Sequence, residues 1–574
     1  MMKRILLSVL LALLIVVPSH VSSQQPQIAS WVLVDDFAGK DAPPERLWYY
    51  SRIGTDRGAM GDGVYTVKLG GGSAEFNVSN GWAGVWISLI HNAKTRDELD
   101  PRRLLGPYVL SKYQPRITGV KVHLLSGSGR IKIELKNQAG DLVALEDYLL
   151  ARGQRTIEFD VNPVRRVKFL NIVLDGFGRL VMDKIWLKVE ASYGNAFEAA
   201  FLYTYGHLLQ CYDPASSLVR DRSNWPVEDF SSVQTIGTFA LTTSIAYQLG
   251  YINQADAIQI VQGAKDRILG LSRYHGLLPH FLTKGAITKG TEWSSVDTVI
   301  CLTSAILACR YMELSSAKLE AMAKAIDWGD LTANYTRPIS HGYKYDGTQI
   351  ATGWDTFGSE VFLTAMLYAA STDRAPILAN PSPPTWDGSG FNDELAALFV
   401  PMGFVDIWGN DWPAYRHQAV DRQLSCFAQH RYNQYALFGL SASEVPEPWE
   451  VSEKEVYGAW GIGGRTSKDG SALVGSPIIA PHYAAMIAEL QPEKSKAFFE
   501  KLMNGYGVLT PLNNVESLCI DAQGNLHWNS LKGSWNLSLQ ALGLGKALLQ
   551  NKYGPYNSLP RNEFLANGLR LLCR

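Results

Sequence analysis

Glu292-Trp293-Ser294-Ser295-Val296-Asp297-Thr298 and Gly353-Trp354-Asp355-Thr356-Phe357-Gly358-Ser359-Glu360 follow one design. Each is a turn of small residues, Trp and carboxylates that opens onto a long apolar run. Small polar residues before such a run signal a helix start, because their side chains accept from the free N–H groups of the first turn. Both stretches therefore set acids and an indole face at the mouth of a buried helix. The recurrence points to a helical array with its chemistry gathered at one end. Ser294, Ser295 and Asp355 taken singly read equally well as plain N-caps. Taken together, paired acids beside flat indoles supply what glycosidic-bond cleavage needs: an acid, a base and a surface on which a sugar stacks.

Working outward, apolar residues recur at helical spacing throughout the chain after residue 195. About twelve helices are predicted, near 196–211, 231–249, 254–273, 294–313, 316–327, 357–371, 391–402, 421–436, 478–490, 494–505, 535–550 and 561–573. The loops between them are long and rich in Trp, Gly, Asp and His, and long loops in a compact domain are usually functional. Paired helices of this number fit an all-α (α/α)6 toroid. Residues 29–192 read differently. Short alternating runs such as Arg130-Ile131-Lys132-Ile133-Glu134-Leu135 are separated by Gly70-Gly71-Gly72, Ser126-Gly127-Ser128-Gly129 and Gly176-Phe177-Gly178. About eight strands at this spacing predict a β-sandwich of the jelly-roll type. The chain is thus expected to be multidomain: a β-sandwich over 29–192, a junction at Ala191–Asn195, and the toroid over 195–574. Lys3 and Arg4 followed by the apolar run Ile5–Val17 predict a signal peptide over residues 1–23, and hence export to the periplasm or the extracellular space.

The chain of 574 residues is 46% hydrophobic and 19% charged, enough apolar material for a large core. A formal net charge of −1 argues against nucleic acid or an anionic membrane as the main partner. No later stretch is long and apolar enough to span a bilayer. Six scattered cysteines form no Cys-x-x-Cys, and the histidines have no metal-ligand spacing, so neither metal nor cofactor is expected. Gly-x-Ser-x-Gly, P-loop and His-Glu-x-x-His patterns are lacking.

Several stretches in a fixed order carry a resemblance. They are Phe230-Ser231-Ser232-Val233-Gln234-Thr235-Ile236-Gly237, Gly276-Leu277-Leu278-Pro279-His280-Phe281, Ser294–Thr298, Trp354–Glu360, Leu437-Phe438-Gly439-Leu440-Ser441-Ala442-Ser443-Glu444 and Ile479-Ala480-Pro481-His482-Tyr483-Ala484. Together they resemble the glycoamylase-like domain family, which includes endo-β-1,2-glucanases. The resemblance implies an (α/α)6 fold and β-glucan hydrolysis. The run Leu180–Leu187 resembles the last strand of galactose-binding-like sandwiches, which implies that the amino-terminal domain could bind carbohydrate. Two departures touch the substrate more than the fold: Glu444-Val445-Pro446-Glu447 replaces a Gly-rich loop, and 403–417 is unfamiliar.

The carboxylates divide by surroundings. Glu360 precedes Val361, Phe362 and Leu363, and an apolar surround raises a carboxyl pKa, which suits a general acid; the resemblance points to it too. Asp297 is expected in the first turn of its helix, where the dipole lowers its pKa and suits it to act as base or hydroxyl acceptor. Glu292 is the third catalytic candidate. Trp293, Trp354 and Asp355 are expected to contact sugar. So are Asp406, Trp408, Asp411, Trp412, Tyr415, Arg416 and His417, a loop rich in stacking faces and hydrogen-bonding groups. Glu228, Asp229, Glu516 and Asp521 are further carboxylates to be placed. The expected protein is an exported glycoside hydrolase acting on a polysaccharide or oligosaccharide, most simply a β-glucan. Its rivals are a non-catalytic glycan-binding protein and a polysaccharide lyase using Tyr415, Arg416 and His417.

Overall fold

The structure, a computed structural model, describes residues 27–37, 57–92, 97–161, 165–222, 230–355, 358–379, 388–446, 457–462, 468–553 and 562–574. The predicted signal segment, Glu228, Asp229 and Glu447 lie outside them. No helix among the described residues is long and apolar enough to cross a membrane.

Seven strands form one continuous antiparallel ladder: β1 Gln27–Asp35, β2 Arg57–Gly70, β3 Ser73–Ser88, β4 Arg116–Lys136, β5 Leu142–Leu149, β6 Thr156–Asp160 and β7 Phe169–Ser192. The order is β2-β3-β7-β4-β5, with β1 added on β7 and β6 on β4. Seven long strands among the described residues replace the eight short runs expected, because two of the three glycine-bearing turns, Ser126–Gly129 and Gly176–Gly178, lie in bulges inside long strands, whereas Gly70–Gly72 does turn the chain from β2 into β3. The burial phase shows why. Along β4 the core side chains are Val120, Val122 and Leu124, then Ile131, Ile133 and Leu135. The inward positions shift from even to odd across Ser126–Gly129, where the register slips. β3 makes the same shift between Phe76, Val78 and Ala83, Val85. An extra residue in a ladder flips the face of everything after it, so each bulge returns the apolar set to the core and bends the strand. At Gly81 the backbone has φ +91°, and a Cβ would stand 2.0 Å from Asp62 O, so only glycine fits. The bend lets Val32, Val122 and Ile185 share one core with Phe76, Val85 and Ile133.

β7 ends at Ser192 and the first helix starts four residues later. Among the described residues the helices of six or more residues are α1 Ala196–Cys211, α2 Val233–Gln248, α3 Gln254–Gly270, α4 Ser295–Tyr311, α5 Ala317–Lys324, α6 Ser359–Thr372, α7 Trp412–Gln429, α8 Pro481–Met486, α9 Pro492–Glu500, α10 Ser534–Tyr553 and α11 Glu563–Leu572. They fall into two layers. α1, α2, α4 and α10 are buried almost all round, whereas α3, α5 and α9 bury one side only. A helix apolar on all faces must be enclosed, and an amphipathic one lies outside it. α2 packs on α4 and α10, α10 on α1 and α8, and α6 on α4 and α11. The region is not all-α, as expected, because short two- and three-stranded sheets join the helix ends. The sheet domain docks on it through Leu105 and Val109, which belong to the helical core, and through the Tyr193 hydroxyl, which donates to Tyr113 O at 3.0 Å.

The segment 403–417 is a correction to the expected sugar loop. Asp411 is the N-cap of α7 and accepts from Ala414 N–H at 2.9 Å; Pro413 stands in the first turn. Asp406 is fully buried and accepts from Trp408 N, Asn410 N, Asn410 Nδ2 and Trp412 Nε1 at 2.9–3.2 Å. Trp412 packs edge-on against Phe362, and the Tyr415 hydroxyl donates to Asp393. Arg416 is buried, with 2.7–2.8 Å contacts to Glu394 and Glu489, and Glu489 also accepts from Lys546 at 2.9 Å. Burial opposes charge on Glu489, but Lys546 and Arg416 outweigh it and hold the carboxyl down at about 2. Removing one member of a buried ion network leaves the others without compensation. Arg416→Met is therefore expected to lower unfolding stability by about 3–5 kcal/mol in urea melts. Turnover per folded molecule should stay at the wild-type value.

Candidate functional site

A cleft of about 1200 Å³ opens where the helix ends meet the short sheets. Its first wall grows from the stretch Leu278–Thr298. Residues Leu278–Pro279, Trp293–Ser294 and Gly342–Tyr343 form a three-stranded patch. Gly342 has φ +129°, and a Cβ there would meet Trp293 O at 1.9 Å, so the patch closes only around glycine. Ser294 caps α4 by accepting from Asp297 N–H, while Thr298 Oγ1 donates to Ser294 O and accepts from Leu278 N–H. Ser295 N–H donates to His341 O at 3.0 Å, its hydroxyl donates to Ser340 O at 2.9 Å, and it accepts from Trp354 Nε1 at 2.8 Å. The mouth of α4 thereby fixes the Trp354 indole, whose ring centre lies 4.1 Å from that of His341.

His280 ties the acids of this wall together. Its Nδ1 lies 2.6 Å from Glu292 Oε1 and its Nε2 lies 3.7 Å from Asp297 Oδ2. The His280 hydrogen bond holds the Glu292 carboxyl below its usual range. Burial opposes the charge on His280, but Asp297 and Glu292 outweigh it and raise the ring above its ordinary value. Asp297 is buried and raised by that burial. This corrects the expectation of a dipole-lowered Asp297: a helix terminus contributes about 0.3–1 kcal/mol at exposed positions, less than a buried carboxylate loses in desolvation. Glu360, in the first turn of α6, faces the cleft and is pushed up to about 8 by burial and by the neighbouring Asp297.

A second wall comes from residues far apart in sequence. Asp221 and Arg222 are held by Gly533 and Ser534, since Arg222 bridges Gly533 and Ser534 N–H donates to Asp221 O at 2.7 Å. Arg222 pairs with Glu444 at 2.6 Å. Asn536 donates from Nδ2 to Ala442 O and to Glu516 Oε1. Glu516 is buried, and burial beside Glu444 pushes it up to about 8. Phe391 and Trp535, 5.9 Å apart and edge to face, add aromatic surface. Asp221 and His280 interact electrostatically, which joins the two walls.

Of the expected residues, Glu292, Asp297, Trp354 and Glu360 line this cleft together, with Glu516. Trp293 is buried against Tyr274 at 5.7 Å and lies outside the lining. Asp355 is exposed and also outside it; Gly358, not Asp355, is the N-cap of α6. Asp406, Trp408, Asp411, Trp412, Tyr415, Arg416 and His417 are all absent from the lining, because that segment is built into α7 and its cap. The Tyr415, Arg416 and His417 set of the lyase alternative is absent with them. Residues not singled out as site groups from sequence include Arg222, His280, His341, Lys344, Phe391, Trp535 and Asn536. Glu444 entered only through the family-like motif Gly439–Glu444. Among the described residues no group of three His, Cys, Asp or Glu could hold a metal ion. All six cysteines are free, four of them buried.

No protein-family description and no curated protein sequence matches this chain. Solved structures do. An endo-β-1,2-glucanase from Chitinophaga pinensis, determined with sophorotriose and glucose, superposes with a TM-score of 0.52 at 15% identity over 66% of this chain and 97% of its own. A β-1,2-glucanase from Parabacteroides distasonis gives 0.52 at 10% identity over 95% of this chain and 99% of its own. The fold is that of these glucanases. The second match must take in the amino-terminal sheet as well as the helices, since 95% of the chain cannot be covered otherwise.

The His280 link sets a pH dependence. A carboxylate with a lowered pKa stays ionised until the pH falls through that value. Removing the imidazole returns Glu292 toward the ordinary carboxylate range. His280→Gln is expected to move the acid limb of any catalytic pH profile to higher pH while leaving the alkaline limb in place. An unmoved acid limb in a kcat/KM profile would dissociate Glu292 from the reaction.

Proposed function

We propose that this protein is a glycoside hydrolase acting on a β-glucan, with β-1,2-glucan the favoured substrate, and that it works outside the cytoplasm. The observation that carries the reading is the pairing, on one wall and beside the Trp354 indole, of a carboxyl kept protonated with one kept ionised. Glu360, raised to about 8, holds a proton at neutral pH and is the general acid toward the glycosidic oxygen. Glu292, held low by His280, is a carboxylate over the same range and is the group able to activate water. Trp354 offers the face on which a sugar ring stacks. The glucanase fold supports this assignment, and the signal-like segment at residues 1–23 supports export. The acid-rich cleft favours a neutral glycan over a uronic-acid polymer, because a polyanion would meet like charge. Stereochemistry follows from carboxyl separation, roughly 6.5–9.5 Å for inversion and roughly 5–5.5 Å for retention.

Incubation of residues 24–574 with β-1,2-glucan should release new reducing ends. Glu360→Gln should reduce the rate by about 10²–10⁴-fold, the usual contribution of a general acid. Wild-type activity should fall as the pH rises through about 8, where Glu360 loses its proton. Binding of glucan without release by the wild-type protein would identify a binding protein instead.

A further inference from the structure

The second wall contains hydrogen-bonding capacity that the acid and base do not use. Asn536 commits Nδ2 to Ala442 O and to Glu516 Oε1, so its Oδ1 is left as an acceptor. That oxygen is buried and has no hydrogen-bond partner. Glu516 Oε2 is likewise buried without a partner, in a residue only 3% exposed. Both residues line the cleft, as does Gly533. A Cβ at Gly533 would stand 3.4 Å from Glu516 Oε2, so glycine leaves free the space beside that oxygen. Unlike the unpartnered atoms inside the core, these two lie side by side on a cleft wall, where a ligand would pair them.

An ionised carboxylate only accepts, whereas a protonated one also donates. The charged groups facing Glu516 decide which form is present. Glu444 from Ala442–Glu444 and Asp221 oppose its ionisation, and Arg222 favours it. Arg222, however, is engaged by Glu444 at 2.6 Å. Tyr457 also faces the group. Burial and Glu444 prevail, so Glu516 keeps its proton at neutral pH. A sugar hydroxyl both donates and accepts, and it would meet an O–H donor and an amide acceptor side by side.

We infer that Glu516 and Asn536 form a sugar-hydroxyl subsite on this wall, in which Glu516 donates and Asn536 accepts. The inference rests on the hydrolase reading and gives Glu516 the role of a binding group, not of the base.

Calorimetric binding of β-1,2-gluco-oligosaccharide to Glu360→Gln, from about pH 6 to about pH 10, tests it. Affinity should fall about tenfold as the pH passes through about 8, because the donor is lost and a charge appears. Glu360→Gln with Glu516→Gln should bind at pH 7 within about threefold of Glu360→Gln and show no such fall, since the amide keeps a donor at every pH. Glu516→Leu should bind weakly throughout. Glu516→Gln alone should show its effect in KM rather than in kcat, the split expected of a binding group and not of a base. An unchanged pH profile in the double variant, or an effect of Glu516→Gln confined to kcat, overturns the subsite while wild-type hydrolysis leaves the enzyme reading intact. If the wild-type protein neither binds nor cleaves the glucan, the substrate reading falls and the subsite falls with it.

Discussion

The buried Ser295 hydroxyl is the joint on which the cleft depends. It sits at the mouth of α4, donates to Ser340 O and accepts from Trp354 Nε1, while its backbone N–H donates to His341 O. One small residue thus ties the start of α4 to the segment that leads into α6. Asp297 rises two residues after it and Glu360 lies in the first turn of α6. A hydroxyl with one donor and two acceptor positions can serve as such a node, and burial makes each lost bond expensive. The distance between the two helix mouths, and with it the electrostatic coupling of Asp297 to Glu360, follows from this node and from the Gly342 approach to Trp293 O.

Within that frame, environment rather than residue type assigns charge. Each wall contains a carboxyl pushed up by burial and another in contact with a cationic partner: Glu360 with Glu292 and His280, Glu516 with Glu444 and Arg222. Helix dipoles favour ionisation at both Asp297 and Glu360, yet both are raised. Desolvation is the larger effect at both, and at Asp297 it outweighs even the His280 ring 3.7 Å away. Divergent proton affinities in one cleft are what lets a single class of side chain donate a proton at one position and accept one at another.

The helical array was legible because its apolar periodicity is long and repeated; ten of the eleven longer helices start within about three residues of the predicted positions, and α7 is the exception. The same strength misled at 403–417. Asp411-Trp412-Pro413 is a cap followed by proline in the first turn, a start signal that pointed to a helix there, and the aromatic composition drew attention away from it. In the sheet, Gly70–Gly72 does form a turn, but the glycines of Ser126–Gly129 and Gly176–Gly178 lie in bulges, and the signal was again present. Alternation of opposite phase on the two sides of Ser126–Gly129 marks one strand that changes face, not two strands joined by a hairpin. Glu292, Asp297, Trp354 and Glu360 could be placed at the cleft from sequence because each lies close to a helix start. The Arg222, Glu444 and Asn536 wall could not, since it is assembled from segments separated by up to about three hundred residues and no local pattern records that pairing.

Composition alone cannot separate the decoy from the cleft. Both are rich in Trp, Asp and amide groups, as polar structural loops and sugar sites alike tend to be. What separates them is where the hydrogen bonds go. Asp406 accepts four bonds from its own loop, and Arg416 is closed by Glu394 and Glu489. On the cleft, Glu516 Oε2, Asn536 Oδ1, Gln234 Oε1 and the Ser232 hydroxyl are buried and unpartnered. Ser232 is the N-cap residue of α2 and yet makes no side-chain cap, although capping would satisfy it at no distance. Buried unpartnered atoms also occur away from the cleft, as at His207 Nδ1, Ser495 Oγ and Glu394 Oε1, so what marks the cleft is that four of them gather on one open surface, where a molecule dense in hydroxyls would satisfy them.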